Sequence, residues 1–566
     1  MSDDGKLILE NPQITSHAPL ASLLATDWFD TGRGDRIGYY RPFVKLTLRA
    51  TWMAFGAKPW AFHAGNVLAH AAAVLFLGLL LSTFMPALPA ALGASLFAVH
   101  PATVQAVDIV TARSDVLAGA FVLASCWVFK CAARSDPPKP MRAVVLASTA
   151  FLAFASKESA LLLPVPLLAL GIAQGIGRRR LLSLLLPVAA VEALFLVTRM
   201  LVVHVAPLPN NLAALGIGDR ALAFLTVVSA YARRLVTGLP TTRLPSVPAG
   251  VDLGVVAGAA ILLGAVAVVV VNRGRSFASF AIVLYFSSLA PALAIWLIHI
   301  PRWKNELPIA DRWLYVPAAG AAMLAALILS RLQSRTAGVA GGGLVLVFAA
   351  TTWERAAMYR SQEALAEYLS AEYVAADPAA LNPRERYYAE KMRARNDLMA
   401  GRVAEGLDHL LEADRIAPAL PDHLSVIAQA EMDLGRPDRA AEVLERLLSP
   451  EFEADPAARR QRADFGNDTM ARFDRAGPWH ELGRAYGAMG KAANANEAFE
   501  KAALFARGKP DEAAYLLDLG LSLARSGRPG DARVALERAG ALRPGWDRPL
   551  RERQALDAGD AETAPP

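Results

Sequence analysis

Charge is scarce in this chain: only 19% of its 566 residues are charged, while 54% are hydrophobic. A soluble protein of this size normally carries more charge. From about residue 61 to residue 353 the apolar residues come in long runs. After Glu354 the chain becomes rich in Arg, Glu, Asp and Ala, with no run long enough to cross a bilayer. The composition therefore predicts a membrane domain followed by a polar domain.

Cysteine and the common motifs of catalysis and metal binding are also scarce. The two cysteines, Cys126 and Cys131, close an apolar run and are expected to be inert thiols rather than a disulfide or a metal site. The sequence has no Cys/His metal spacing, no phosphate-binding glycine loop and no nucleophile elbow. The net charge of +6 is modest, and its basic residues cluster between apolar runs. We therefore expect no metal, no cofactor and no nucleic-acid partner.

The apolar runs predict about ten membrane spans, since a span needs about 20 apolar residues. A further stretch, 220–240, contains Arg233 and Arg234 and is predicted to lie at the membrane interface. The predicted spans are residues 61–85, 87–99, 115–133, 142–156, 158–175, 181–204, 251–272, 277–299, 313–331 and 337–353.

Basic residues in the short loops predict the orientation. The clusters within 130–142, 178–180, 273–275 and 331–335 alternate so that all lie on one face, the cytoplasm. Residues 1–60 and the polar C-terminal domain then lie outside the cytoplasm. Since no span precedes residues 1–60, we expect that a first transmembrane helix is missing from this sequence.

The C-terminal domain carries a repeat typical of tetratricopeptide (TPR) proteins, with small and large residues at fixed positions of two packed helices. Weaker copies lie around 401–418 and 435–444, and another lies around 519–544, with an insertion around 451–472. Such repeats present a concave surface to a peptide or protein, although a stabilising cap on the membrane domain is the alternative. The clearest copy contains Trp479, Leu482, Gly483, Tyr486, Gly490, Ala495, Phe499 and Ala502.

These patterns predict an all-α protein, a polytopic helical membrane domain followed by a TPR α-solenoid. The predicted divisions are a first extracytoplasmic loop at 1–60, a membrane domain of about ten helices at 61–353, a connecting helix at 354–385, about four TPR repeats at 386–548 and a disordered tail at 549–566.

Charged and polar residues recur at the outer ends of the predicted spans. Such residues are costly near a membrane and normally have a structural or functional role. Their carboxylates and cations would suit acid–base chemistry on a substrate that bears a phosphate. The alternatives are a solvated terminus, core histidines, and local ion pairs of Asp115, Asp311 and Glu158 with their neighbouring cations. The residues are Asp3, Asp4, Arg41, His63, His70, His100, Arg113, Asp115, Lys157, Glu158, Asp311 and Arg312.

Several motifs in order resemble the transmembrane-and-TPR (TMTC) proteins and their bacterial relatives. The resemblance covers nearly the whole chain, with two departures: Gln105 stands where the family has Glu, and the first helix is absent. The matching segments are 3–4 (Asp-Asp), 11–12 (Asn-Pro), 27–29 (Asp-Trp-Phe), 40–42 (Tyr-Arg-Pro), 62–66 (Phe-His-Ala-Gly-Asn) with His70, 100–107 (His-Pro-Ala-Thr-Val-Gln-Ala-Val), 113–117 (Arg-Ser-Asp-Val-Leu), 156–158 (Ser-Lys-Glu) and 310–317 (Ala-Asp-Arg-Trp-Leu-Tyr-Val-Pro).

The resemblance implies a membrane domain of the GT-C type and a transferase that moves a sugar, expected to be mannose, from a polyprenyl-phosphate donor to Ser or Thr of extracytoplasmic proteins. Asp4, or less directly Asp3, would be the base, and the TPR repeats would present the acceptor. Arg113, Lys157, Arg312 and Arg41 would bind the donor phosphate; His100, Asp115, Glu158 and His63 would support them. The partners would be the lipid-linked sugar, an acceptor protein or peptide, and membrane lipid.

Two other functions stay open at this point. The chain could be a non-catalytic scaffold whose TPR repeats recruit partners, or an oligosaccharide transferase of the cell envelope. The Ala-, Leu- and Arg-rich composition indicates a bacterium with a GC-rich genome. The expected location is therefore the bacterial inner membrane, with the TPR domain in the periplasm.

The orientation can be tested with reporter fusions. Because the loop near residue 140 is basic and the domain after residue 353 follows the last span, fusions after residues 140 and 360 should report opposite compartments. Alkaline phosphatase, active outside the cytoplasm, and a fluorescent protein, active inside, would measure this. Finding both fusions in one compartment would refute the orientation.

Overall fold

The computed structural model describes residues 5–9, 11–15, 19–28, 39–134, 140–203, 216–238, 250–298, 309–361, 383–464, 474–508, 511–542 and 547–558, with positions 364, 371 and 381. Throughout these residues the secondary structure is helical, and no strand occurs in them. The chain divides into two compact units, Met1–Pro301 with Asn305–Ala366, and Arg302–Lys304 with Glu367–Pro566. The all-α prediction is confirmed.

The described part of the first 60 residues is helical in places rather than a plain loop. The helix Pro42–Phe55 precedes the first long apolar helix, and shorter helical segments lie before it. Leu7, Ile14 and Trp28 are buried in a cluster with Phe62 of the following helix. Apolar contacts therefore hold the N-terminal segment against the following helices, in addition to the chain that links them.

In the described part of the membrane unit, seven helices are long and apolar enough to cross a bilayer. A pair of helices bent by 44° at His100 raises the number to eight if the pair counts as one span, and two shorter apolar helices, Pro140–Phe154 and Glu158–Ala173, lie among them. The prediction of about ten spans therefore stays a prediction. The seven are Pro59–Leu81, Val110–Ala133, Arg178–Val202, Leu253–Val271, Phe277–Ala294, Asp311–Leu329 and Ser334–Met358.

Burial separates central helices from peripheral ones. In the 18-residue apolar stretches of these helices, 72% of Val110–Ala133 and 56% of Asp311–Leu329 is buried, whereas only 11% of Leu253–Val271 is buried although it is the most apolar of the seven. An apolar helix that is exposed on most sides needs a non-aqueous surrounding. The exposed apolar helices thus fit a lipid environment, and the two central helices form the core that positions the polar residues.

The second unit consists of paired antiparallel helices. Four pairs follow one another, and a two-helix insertion, Pro450–Ala454 and Pro456–Asp464, separates the second pair from the third. The pairs are Pro383–Met399 with Val403–Ile416, Leu424–Asp433 with Pro437–Leu448, Ala476–Ala488 with Ala492–Phe505, and Glu512–Arg525 with Pro529–Leu542.

A glycine closes the turn inside each pair in the same conformation. Gly401, Gly435, Gly490 and Gly527 have φ angles between 72° and 76°, the left-handed region that side chains disfavour. Each glycine follows the first helix of its pair, where a left-handed residue ends a helix and reverses the chain. The four identical turns establish the repeat, and the TPR α-solenoid prediction is confirmed.

The end of the solenoid corrects one prediction. Residues 549–558, expected to be disordered, belong to a helix, Asp547–Ala558, that packs on Pro529–Leu542. Arg533 pairs with Asp557 at 2.6 Å, and Arg553 with Glu537 at 3.1 Å. The prediction failed because the segment is polar, and only its packing on the preceding helix shows which of its sides is covered. Residues 559–566 lie outside the described residues, as does most of the connecting segment 359–382.

A histidine joins the last two repeats. His480 of the third repeat bonds to the Asp518 carboxylate of the fourth at 2.7 Å, with Glu481 also close. Burial lowers the pKa of His480, but the Asp518 and Glu481 carboxylates outweigh it and hold the pKa at about 9. The imidazole is therefore protonated at neutral pH, and a charge-assisted hydrogen bond couples the two repeats.

Close helix packing in the third repeat can be tested with two glycines of one helix. A Cβ at Gly483 would lie 2.7 Å from the Phe499 ring, whereas a Cβ at the exposed Gly487 would meet nothing within 4 Å. Gly483→Ala should destabilise the repeat by about 1–3 kcal/mol through overpacking. Gly487→Ala, the matched control, should be neutral or stabilising by up to about 1 kcal/mol.

Hydrogen exchange of residues 476–505 in the full-length protein would measure both effects. Gly483→Ala should speed exchange across the pair, and Gly487→Ala should not. Equal protection in the two variants would contradict the close contact between the helices.

Candidate active site

Two of the sequence motifs meet to form a pocket for the Arg113 guanidinium. Arg113 donates to the Asn66 side chain at 2.9 Å, to the Phe62 carbonyl at 2.7 Å and to the Thr51 hydroxyl at 3.1 Å. Its guanidinium lies against Gly65, where a Cβ would be only 2.8 Å away. The segment 62–66 thus provides an acceptor, a carbonyl and the space that a buried arginine needs.

This placement differs from the one expected for Arg113, whose role at a donor phosphate stays a prediction. All three of its donor directions are used by the protein, and Arg113 is buried away from the cavity described below. Its expected convergence with Lys157 and Arg312 is therefore wrong. The reason is the first turn of its helix, where Arg113 and Asp115 point in different directions because residues two apart do not share a helix face.

Arg41 pairs with Glu158 across 117 residues. Both oxygens of Glu158 accept from Arg41, with distances between 2.8 and 3.2 Å, so the contact is bidentate. The ring of Tyr39 lies 4.9 Å from the same guanidinium. This geometry holds a planar guanidinium firmly.

Lys157, the neighbour of Glu158, pairs with the Asp115 carboxylate of another helix. The local ion pairs expected for Asp115 with Arg113 and for Glu158 with Lys157 are therefore wrong. Ser114 links the two pairs, since it lies 3.4 Å from both Arg41 and Asp115. The motifs 40–42, 113–117 and 156–158 thus form one polar network.

The third expected local pair, Asp311 with Arg312, is also replaced by contacts with distant residues. The Asp311 carboxylate accepts from Arg234 at 2.8 Å and from Arg355. Arg355 donates further to the Pro101 carbonyl at 2.6 Å. Asp311 is thereby clamped between the helices Ile217–Thr237 and Ser334–Met358, and its carboxylate is structural.

The histidines of the motifs hold the fold in specific tautomers. His100 accepts from the Ala102 amide at its Nδ1, so its Nε2–H donates to the Leu235 carbonyl at 2.9 Å. His70 donates from Nε2 to the Ala98 carbonyl and accepts from the Tyr315 hydroxyl at 2.7 Å. His100 therefore fixes the bend between two helices and does not line the cavity, and neither does His63.

A cavity of about 280 Å³ opens at one common end of these helices. It lies beside the C-terminal half of the helix Phe277–Ile298 and near the points where Arg113–Ala133 and Tyr315–Leu329 begin. Its lining residues are Tyr39, Arg41, Asp115, Ala118, Lys157, Glu158, Ser159, Ser288, Pro291, Ala292, Arg312, Trp313, Tyr315, Val316 and Pro317.

The charges in this cavity do not cancel. Its described lining has three cations, Arg41, Lys157 and Arg312, and two carboxylates, Asp115 and Glu158, which leaves one positive charge in excess. Arg41 and Lys157 are paired, whereas the Arg312 guanidinium has no hydrogen-bond or ion-pair partner in the described structure. Arg312 also repels Lys157 electrostatically. Such an arrangement can bind an anion without breaking a contact.

Sequence reasoning missed several features of this cavity. Ser288 and Pro291 come from an apolar helix that carries no charge, so no motif marks them. Asp27 accepts from the Tyr39 amide at 3.0 Å, and Trp28 donates to the Tyr39 carbonyl at 2.7 Å. The Asp-Trp motif was the available signal for this contact, which places Tyr39 at the cavity.

Two expected site residues cannot be placed. Asp3 and Asp4 lie outside the described residues. Pro12 of the Asn-Pro motif has a described backbone only, while Asn11 caps its own turn by accepting from the Gln13 amide at 3.0 Å. The catalytic assignment of Asp4 therefore stays a prediction.

The chain is similar to protein O-mannosyl-transferases of the TMTC type. It is 37% identical over 127 residues to Tmtc1 of Drosophila melanogaster and 30% identical over 125 residues to TMTC3 of Homo sapiens. Each match covers 22% of this chain and 14% of the relative. Homology is thus established over about a fifth of the chain, and the match spans only about a seventh of the relatives' length.

No family model matches the chain. Among solved structures, MamA of Desulfovibrio magneticus is 20% identical and covers 29% of this chain and 97% of its own, with a TM-score of 0.18. The Cut9–Hcn1 hetero-tetramer is 11% identical and covers 83% and 90%, with a TM-score of 0.27. Scores this low indicate nothing about the fold, which rests on the helix pairs.

The structural role of Arg113 predicts how its variants behave. A lysine cannot reach Thr51, Phe62 and Asn66 together, so Arg113→Lys should destabilise the membrane unit almost as much as Arg113→Ala, by about 1–3 kcal/mol for the buried groups left unpaired. Thermal unfolding of the purified protein in detergent would measure this. Arg331→Ala, at an exposed site, is the control. An Arg113→Lys protein that unfolds at the wild-type temperature but binds donor poorly would restore the phosphate role.

Proposed function

We propose that this protein is a GT-C-type glycosyltransferase that moves a sugar, mannose by its relatives' names, from a polyprenyl-phosphate donor to Ser or Thr hydroxyls of proteins outside the cytoplasm. The Arg312 guanidinium carries the proposal: it has no partner among the described residues, and the described lining of its cavity has one excess positive charge. The similarity to TMTC protein O-mannosyl-transferases supports the same chemistry. The Lys/Arg distribution supports an orientation with the TPR repeats outside the cytoplasm, and the Ala-, Leu- and Arg-rich composition supports a bacterial inner membrane.

The positive charge of the cavity suits a reaction in which a phosphate leaves with an added negative charge. The acceptor hydroxyl oxygen attacks the anomeric carbon, and the bond from that carbon to the phosphate oxygen breaks with inversion. The electron pair leaves with the polyprenyl phosphate, which gains a negative charge, and the hydroxyl proton passes to a base. A guanidinium held beside the leaving oxygen stabilises this developing charge.

The paired cations have a secondary role in this proposal. Lys157 and Arg41 already pair with Asp115 and Glu158. They therefore act on the phosphate through their electrostatic field, from fixed positions, and are not its direct ligands. Tyr39 and Trp313 add rigid aromatic surface beside the charges. The donor phosphate thus meets Arg312 directly and the ion pairs behind it.

The base has to come from outside these pairs. Protonating Asp115 would leave Lys157 without its counter-ion, and protonating Glu158 would do the same to Arg41. Both carboxylates are therefore poor bases. We assign the base to Asp4, with Asp3 as the weaker choice, on the match of these residues to the first-loop motif of TMTC proteins.

The TPR unit supplies the acceptor site in this proposal. Stacked helix pairs form extended surfaces that bind peptides. The coupling of the third and fourth repeats through His480 and Asp518 keeps that surface continuous near the C-terminus. The acceptor would be an unfolded or extended segment that carries Ser or Thr.

Transfer of radiolabelled mannose from polyprenyl-phosphate mannose to a Ser/Thr-rich peptide, with purified full-length protein, tests the proposal. Arg312→Ala should lower kcat by about 10²–10³-fold, as expected for the loss of a donor at a developing charge. Arg312→Lys should lose on the order of 10-fold, because it keeps the charge but not the planar fork. Arg335→Ala, an exposed cation elsewhere in the membrane unit, should be unchanged.

In the same assay Asp4→Asn should abolish transfer and leave membrane insertion intact. Wild-type transfer by the Arg312→Ala protein would remove Arg312 from the mechanism. A wild-type protein that transfers no sugar but binds extracytoplasmic proteins through its repeats would instead be a scaffold.

A further inference from the structure

Gln105 and Arg312, which are 207 positions apart, are joined by one hydrogen bond. The side-chain Oε1 of Gln105 accepts from the backbone N–H of Arg312 at 2.8 Å. Gln105 lies in the short helix Val104–Asp108, which follows the bend at His100. The contact is therefore made to the main chain of Arg312 and not to its guanidinium.

The N–H that Gln105 binds is one that its own helix cannot satisfy. Arg312 is the second residue of the 3₁₀ helix Asp311–Leu314, and the first N–H groups of a helix have no partner inside it. A side-chain oxygen normally caps such a group. Here the cap comes from a distant part of the chain, since Ala310 at the N-cap position offers no side-chain oxygen.

Two contacts together fix the backbone at this point. Asp311 is held through its carboxylate by Arg234 and Arg355, and Arg312 is held through its amide by Gln105. Among the described residues the Arg312 side chain has no hydrogen-bond or ion-pair partner, so these contacts fix the backbone point from which the side chain leaves. A backbone held in this way reduces the reorganisation that ligand binding requires at this residue.

We propose that Gln105 is a positioning residue that aims Arg312 into the cavity, and that position 105 requires a hydrogen-bond acceptor rather than an acid. The inference rests on the proposed role of Arg312 at the donor phosphate. The Glu of TMTC-like proteins at this position offers the same acceptor, so Gln105 is not a defective catalytic acid. A glutamate here would place a negative charge beside Arg312 and so compete weakly with the phosphate.

Three variants of the full-length protein separate an acceptor from an acid. Gln105→Leu removes the acceptor at similar volume, Gln105→Glu keeps it, and Gln333→Leu is the control at an exposed position of the membrane unit. Hydrogen exchange of the segment 309–316 reports the bond itself. The kcat/KM for polyprenyl-phosphate mannose and its pH profile report the consequence.

Gln105→Leu should speed exchange of that segment and lower kcat/KM on the order of 10-fold, the effect expected for one hydrogen bond. Gln105→Glu should keep the slow exchange, stay within about 3-fold of wild type in kcat/KM and leave the pH profile unchanged. Gln333→Leu should match wild type in every measurement.

Two results would overturn the inference. Unchanged exchange and kcat/KM in Gln105→Leu would show that the bond positions nothing. A large gain in Gln105→Glu, with a new acidic limb in its pH profile, would make position 105 a catalytic acid. If the wild-type protein transfers no sugar, the exchange contrast between the Leu and Glu variants still tests the positioning, and the failure then belongs to the proposed function alone.

Discussion

Neutralising charge inside an apolar helical bundle is the constraint on which the membrane unit depends. A buried ion without a partner costs several kcal/mol, on the order of what keeps a whole domain folded. The unit meets this constraint with pairs that join distant segments: Arg41 with Glu158, Lys157 with Asp115, and Asp311 with two arginines. Each pair draws one loop onto another, so satisfying the charges also sets the path of the chain at this end of the bundle.

The same constraint explains the cavity. Among the described residues, Arg41 and Lys157 pair with the two carboxylates, and the Arg312 guanidinium has no partner. The main chain at Arg312 is nevertheless held by Asp311 and Gln105 from two directions. A cation that is fixed in position but free in charge is well suited to bind a phosphate at a membrane surface.

The TPR unit follows a different rule. Its helices pack mainly on their neighbours in the sequence. The residue pattern of one repeat is therefore enough to predict its structure. The glycines Gly401, Gly435, Gly490 and Gly527 serve as identical turns, and small residues such as Gly483 let paired helices approach. The exception is the last helix, Asp547–Ala558, whose polar composition conceals its packing on Pro529–Leu542.

The amino-acid sequence by itself determined the helical fold and the repeat, because hydrophobic runs and turn glycines act locally. It also marked the charged residues that line the cavity. Arg41, Lys157, Arg312, Asp115 and Glu158 were all predicted, and all line one cavity. The partners of these charges were not predictable. Arg113 and Asp115 are two residues apart on one helix and point to different faces, and for these charges the packing of distant segments decides the counter-ion. That packing places Arg113 in the pocket formed by segment 62–66 and leaves the Arg312 guanidinium without a partner among the described residues.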